Sequence, residues 1–421
     1  MRLIRDLYQR HRDVVRAYAS MTSGSAGRLV LSLVYFISVA NSLSIGDFGL
    51  FATASAAGIM ISRALAFGFM SPLYRIATVK PRLVGTYTAG FLAAALLSLP
   101  LILLLCFAIY ATVFAGDMAG LAFAGFMAAE IVCWRGLEVV VIVLNGLGRF
   151  GRAALLVILG TGIRTLAAVA FATLTAASLP VWAGFYLAAN AVALALAVLV
   201  FYPRVRLRWR LGLYLRRWVD SISVAGAEIL FYVQSEFDKI AVLAIGGPEV
   251  SGLYAIIMRL ADLTALPVRS FNTLLVQRIM RSPATIAAWR TRLAIEGAVA
   301  AVSLAAIAAM AVYLHVLPGG LGHNVAAASP YLMLVLLVPS FRNLVEYHSE
   351  LLYATGNTVR RVVNLAIAGV TKVSLLALLL VLSLAPGFWA PWLNGVYAAV
   401  YALSFALTYR VLARGVTQRV I

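Results

Sequence analysis

A chain of 421 residues that is 63% hydrophobic and 12% charged, with a mean hydropathy of +0.97, carries about half the charge of a soluble globular domain. That composition excludes a water-soluble enzyme or binding module and makes lipid the expected solvent. The formal net charge of +19 invites a nucleic-acid reading, which the placement of the charges removes.

Residues 1–25 are polar and basic, with Arg2, Arg5, Arg10, Arg12 and Arg16. Leu3, Leu7, Val14 and Tyr18 could line one face of an interfacial helix there. No short apolar stretch ends in small residues, so no cleavable signal is expected. Apolar runs of about 20 residues follow, each long enough for a hydrocarbon core of roughly 30 Å. They predict membrane helices near 26–45, 50–72, 84–112, 120–144, 154–177, 181–202, 221–245, 251–275, 293–317, 327–353, 362–385 and 391–412. Non-alternating Ala/Leu/Val runs exclude a barrel, leaving a helical bundle as the way to satisfy the backbone in lipid.

Every second connection is basic: Arg75, Lys80 and Arg82; Arg149 and Arg152; Arg204, Arg206, Arg208, Arg210, Arg216 and Arg217; Arg278, Arg281, Arg290 and Arg292; Arg360 and Arg361; Arg414 and Arg419. The connections around Asp47, Asp117, Pro180, Glu249, His323 and Pro386 hold no Lys or Arg. This is the positive-inside pattern. It predicts an even number of spans in a bacterial inner membrane with both termini cytoplasmic. The excess charge then faces anionic inner-leaflet lipids, and no nucleic-acid partner is expected. Cys106 and Cys133 fall in spans, and the His and Cys positions show no metal-ligand spacing. No cofactor, metal site or catalytic residue is expected.

The halves repeat. Gly148 and Arg152 recur as Gly356 and Arg360, and at the same offset of 208 residues Glu138 falls on Glu346 and Arg164 on Lys372. The predicted organisation is an interfacial segment 1–25, a six-helix lobe 26–202, a basic cytoplasmic linker 203–218, a second six-helix lobe 219–412 and a tail 413–421. An even span number per half makes the repeats parallel.

Ionisable side chains in a span cost at least about 2.5–3.5 kcal/mol each near its centre, so they mark protein-facing or wet positions. Glu138 with Arg164, and Glu346 with Lys372, lie on consecutive helices and are expected as ion pairs within a lobe, with proton coupling or substrate contact as the other reading. Arg342, Glu346, Ser349, Glu350 and Tyr353 share one helical face, as do Glu130, Trp134, Glu138 and Asn145. Arg63, Arg259 and Arg269 are expected to line a cavity as anion ligands, because a planar guanidinium suits phosphate oxygens; Lys239 and Arg342 join them as candidate substrate contacts. Asp238, Glu346 and Glu350 are candidates for ion coupling. His348, off the polar stripe, reads as a packed histidine.

The stretch Phe237-Asp238-Lys239-Ile240, with Gly246 and Glu249-Val250-Ser251-Gly252-Leu253-Tyr254-Ala255, resembles the polysaccharide-transport proteins of the MOP exporter superfamily. So do Ser44-Ile45-Gly46-Asp47-Phe48-Gly49-Leu50-Phe51 and the turn Asn145-Gly146-Leu147-Gly148-Arg149-Phe150. The resemblance implies an all-α, MATE-like V-shaped bundle of about twelve transmembrane helices in two parallel six-helix repeats. It implies a Wzx-type flippase that moves undecaprenyl-pyrophosphate-linked oligosaccharide across the inner membrane by alternating access, for lipopolysaccharide or exopolysaccharide synthesis. A polysaccharide polymerase and export machinery are then the expected partners. The rival readings are a MATE-like small-molecule antiporter and, from a different class, a membrane-embedded polymerase or acyltransferase.

Overall fold

The computed structural model describes residues 27–281 and 288–417. The expected interfacial segment 1–25 and the last four positions of the expected tail lie outside them. Of the described residues 89% are helical and none lies in a strand. The helices are α1 (Gly27–Ser42), α2 (Ile45–Ser62), α3 (Met70–Val79), α4 (Val84–Ile109), α5 (Gly120–Ala128, continued through a π-helical turn Ala129–Trp134 into Arg135–Gly146), α6 (Phe150–Leu174) and α7 (Leu179–Leu196). After the linker come α8 (218–246), α9 (248–281), α10 (Trp289–Val316), α11 (His323–Leu332), α12 (Val338–Ala354), α13 (Thr358–Leu382) and α14 (Pro386–Thr417).

Among the described residues, eight helical stretches are long and apolar enough to cross a bilayer, and the pair His323–Val335 and Val338–Ala354, bent by 70°, makes a ninth, broken span. On α4, Leu96, Leu97, Leu103, Leu104 and Phe107 all stand exposed. In water such a surface would aggregate; in a bilayer it is solvated by acyl chains. The protein is a multi-span membrane protein.

Local sequence explains where the helices start and turn. Ser44 caps α2, its hydroxyl accepting from the Asp47 backbone N–H at 3.0 Å, and Asp47 adds negative charge at the positive end of the helix dipole. The 64 residues Trp218–Arg281 are helical throughout except at Gly247, whose φ of 75° and ψ of −178° suit a residue without a Cβ. The chain reverses there. Tyr254 OH donates to Asp238 Oδ2 at 2.6 Å across 16 residues, a separation of about 24 Å along an unbroken helix.

Two predicted spans need correction. The span predicted at 50–72 is two helices, because Arg63–Phe69 leave the helical path: Ala66 and Phe67 take φ of 56° and 48° and Gly68 follows at 75°. The Ser98 hydroxyl, 3.0 Å from the Ala66 backbone N–H, accepts the hydrogen bond the break frees. The span predicted at 327–353 is the bent pair, with Pro339 in the first turn of α12, where its missing N–H costs nothing. The repeat, in contrast, carries into backbone geometry. Gly148 and Gly356 have φ of 71° and 78°. Arg149 N–H reaches Leu144 O at 2.8 Å, and Asn357 N–H reaches Leu352 O at 2.9 Å. Both helix ends thus close on the same left-handed cap, 208 residues apart.

Packing forms two compact units: Val34–Ala255, and the described residues up to Leu33 together with those from Ile256 on. Helix α8, which opens the second sequence half, belongs to the first of these. Its core is aromatic, with Phe51, Phe126, Phe171, Trp182 and Tyr186 in mutual contact. In the same unit, the two Gly-Leu-aromatic motifs meet. A Cβ on Gly49 would strike the backbone of Gly252 and Pro248, and one on Gly252 would strike the Ile45 carbonyl. Small residues therefore let α2 and the start of α9 touch backbone to backbone. Beside that crossing, Thr53 and Ser251 share a hydrogen bond of 2.9 Å.

Candidate functional site

Within the Val34–Ala255 unit the membrane charges gather into networks rather than pointing singly outward. Arg63, 5% exposed, grips Glu138 with Nη1 and Nη2 at 2.9 and 3.3 Å. Its guanidinium carbon also sits 4.1 Å from the centroid of the Tyr232 ring. Arg135, buried as deeply, reaches the same Glu138 at 2.9 Å and Glu228 at 2.8 Å. Two cations and two anions, from α5, α8 and the break after α2, make a closed set of charge-assisted bonds. The break explains Arg63's reach: it is the C-cap of α2, at the first residue to leave the helix.

The expected pairing of Glu138 with Arg164 is not formed. Arg164 Nη2 lies 3.7 Å from Glu130, its Nε donates to Asn190 Oδ1 at 2.7 Å, and its guanidinium carbon sits 3.7 Å from the centroid of the Trp134 ring. Glu130 also accepts from Ser55 at 2.7 Å and from Tyr186. Glu130 and Trp134 sit in the π-helical turn of α5. The extra residue in such a turn changes the helical register, and ideal 3.6-residue spacing carries no sign of it. Farther on, Lys239 meets Glu236 one turn away on α8, and buried Asp238 accepts from Tyr254.

In the other unit the predicted face of α12 resolves into pairs. Arg342 meets Asp262 at 2.8 Å. Arg269 reaches Asp262 at 3.8 Å and Glu346 at 3.1 Å. Arg361 binds Glu350 at 3.0 Å and Ser349 at 2.8 Å, and lies 5.1 Å from the Tyr353 ring centroid. Lys372 is buried on α13. Of the cations expected to bind substrate, Arg63, Arg269, Lys239 and Arg342 therefore meet carboxylates. Half-buried Arg259 differs: among the described residues its side chain meets the Ser32 hydroxyl and no carboxylate.

Sequence reading missed a further network. Glu296 on α10, 4% exposed, accepts from Tyr401 at 2.7 Å and from Tyr409, both on α14. His348 Nε2 lies 3.1 Å from the same carboxylate, and His348 Nδ1 lies 3.1 Å from Ser404 Oγ. A carboxylate only accepts, so Nε2 carries a proton, and Nδ1 shares its hydrogen bond with the Ser404 hydroxyl. Asn364 extends the chain to Thr408 at 2.9 Å. The signal was present, since Tyr401 and Tyr409 are two turns apart and share a face of α14, but nothing on α10 announced that Glu296 would meet them.

Several solved transporters share this backbone. An inward-facing multidrug resistance MATE family transporter of the MOP superfamily matches with a TM-score of 0.64 at 15% identity, over 92% of this chain and 95% of that one. The chain has the fold of that MATE family transporter. An outward-facing MATE structure gives a TM-score of 0.60 at 14% identity, over 95% of each chain. A MOP superfamily transporter from Pyrococcus furiosus, whose binding pocket of reverse polarity suggests a different function for it, gives 0.58 at 15% identity over 96% of this chain and 95% of that one. No protein-family model and no curated protein sequence matches the chain significantly. The likeness to the MATE structures is one of fold, spanning the chain end to end, and it fits the expected helical class.

Proposed function

We propose that the chain is an alternating-access transporter of a bacterial inner membrane, with both termini cytoplasmic, that translocates undecaprenyl-pyrophosphate-linked oligosaccharide for surface or exopolysaccharide synthesis. The observation that carries the substrate class is Arg259, a half-buried intramembrane arginine whose recorded partner is a hydroxyl rather than a carboxylate. A guanidinium in that setting can take phosphate oxygens without first displacing an anion. Arg63, Arg269 and Arg342 reach a substrate phosphate only by exchanging a carboxylate for it, which makes them second contacts. The MOP-type fold and the Gly-Leu-aromatic motifs support the reading.

A strain lacking the gene should accumulate lipid-linked repeat units on the cytoplasmic leaflet and lose surface polysaccharide. Arg259→Ala should reproduce that loss at normal protein abundance. Normal surface polysaccharide in a deletion strain with no second flippase would overturn the proposal.

A MATE-like antiporter of organic cations is the second reading, and the carboxylates favour it. The membrane-embedded arginines beside Glu130, Glu138 and Glu228 are already neutralised, so those networks present little net positive charge. Deletion would then sensitise cells to organic cations and leave surface polysaccharide intact. Coupling to protons or sodium would act on Asp238, Glu346 or Glu350, and flipping that ignored ionophores in sealed vesicles would exclude it.

A further inference from the structure

Where α3 ends and α4 begins, the Val34–Ala255 unit holds a cavity of about 320 Å³. Arg75, Lys80 and Arg217 line it together with apolar Val79, Leu83 and Leu213. Arg75 and Lys80 are exposed.

Its depth in the membrane follows from its surroundings. The apolar stretch Pro81–Phe114 begins beside it, and another begins at Ser221, so the cavity lies at the ends of spans, at headgroup level. The neighbouring linker says the same. In 203–210, arginines alternate with Val205, Leu207 and Trp209, and these apolar side chains stand 37%, 56% and 59% exposed. An exposed apolar row beside an arginine row suits the boundary between acyl chains and headgroups. Tyr214 ties this segment down: its hydroxyl donates to Thr86 O at 2.9 Å and accepts from Arg210 N–H at 3.1 Å.

We propose that this cavity is a binding site for one anionic glycerophospholipid, its phosphodiester held by Arg75, Lys80 and Arg217 and its chains lying against Val79, Leu83 and Leu213. Charge complementarity selects an anion, and the apolar walls select an amphiphile over a free one. Basic pockets between membrane helices take anionic headgroups for the same reason. The site stands apart from the transport reading, since a resident lipid would bind whether the cargo were a lipid-linked sugar or a drug.

The test uses the full-length protein in zwitterionic detergent, titrated with phosphatidylglycerol or phosphatidylcholine and read by native mass spectrometry as lipid bound per protein. Wild type should retain one phosphatidylglycerol in preference to phosphatidylcholine. Each interfacial charge removed should cost about fivefold in affinity, so R75Q/K80Q should bind roughly 25-fold more weakly. The charge-preserving R75K/K80R should bind like wild type. R290Q/R360Q removes the same net charge at exposed positions on other connections and should leave affinity within about twofold, because neither side chain lines the cavity. Equal losses in the two charge-removing doubles would reduce the effect to diffuse surface charge and overturn the site. So would equal retention of the two lipids, or displacement of phosphatidylglycerol by an equal concentration of inorganic phosphate.

Discussion

Glu138 holds two buried guanidiniums, and its replacement by glutamine is the sharpest test of the Arg63 network. Glu138→Gln keeps size but turns one accepting oxygen into a donor facing a guanidinium, and removes the charge that neutralises Arg63 and half of that around Arg135. Arg135 keeps Glu228 at 2.8 Å, so the loss falls on Arg63. That side chain retains the Ile59 carbonyl at 3.3 Å and the face of Tyr232. Breaking one partner out of a buried pair costs about 3–5 kcal/mol. Glu138's side chain is 26% exposed, so water screens part of that, and the expected cost is about 3 kcal/mol. Arg63→Met leaves Glu138 satisfied by Arg135 and should cost roughly 1.5–3 kcal/mol through lost charge-assisted bonds. The double variant should fall short of the summed losses by roughly 1.5 kcal/mol or more, since residues sharing a network couple within about 0.5–3 kcal/mol. Equilibrium unfolding in bilayer discs, followed by tryptophan fluorescence, supplies all three values. Additivity within about 0.5 kcal/mol would show that the two side chains do not depend on each other, and the network reasoning would fail.

The other consequences concern packing and the repeat. Glu296→Ala should destabilise by about 3 kcal/mol or more, because Tyr401, Tyr409 and His348 lose one shared buried acceptor; Glu296→Gln, which keeps an acceptor, should recover part of that in the same unfolding assay. Gly252→Val should sharply lower the folded fraction recovered from membranes, since its Cβ would strike the Ile45 carbonyl, and a wild-type yield would show that α2 and α9 do not cross this closely. Gly148→Ala and Gly356→Ala should each cost about 1–2 kcal/mol, the penalty for a Cβ in the left-handed region. A large loss at one and none at the other would deny the two caps equivalent roles.

Features that depend on one helix were legible in the sequence; features that depend on two mostly were not. Apolar run lengths placed the helices, and the stripe Arg342, Glu346, Ser349, Glu350 became a row of ion pairs because helical spacing had already put those side chains on one face. The 208-residue offset identified a shared cap at Gly148 and Gly356 because that cap is local backbone geometry. Arg164 was assigned to Glu138 because the two lie on consecutive helices; the π-helical turn around Glu130 changed the register and gave it Glu130 instead. The break after Arg63 was hidden because Ala66 and Phe67 are unusual residues for a left-handed backbone, held there by surroundings such as the Ser98 hydroxyl. Glu296 escaped because its donors come from α12 and α14, and no pattern within α10 points to them.

The ion pairs bear on how such a molecule could move. Arg63, Glu138, Arg135, Glu228, Arg164 and Glu130 all belong to the Val34–Ala255 unit, while Arg269, Asp262, Arg342, Glu346, Arg361 and Glu350 all belong to the other. Every ion pair described above is thus closed within one unit. Breaking a buried pair costs about 3–5 kcal/mol, so a transport cycle that had to open several would face a prohibitive barrier. If each unit moves as a body, as the proposed alternating access requires, these pairs stay made throughout. The same closure limits what they can do for a cargo: an arginine already holding a carboxylate gains from a phosphate only the difference between two anions. Among the described residues Arg259 meets no carboxylate that it would have to exchange, so for an anionic headgroup it offers the larger gain.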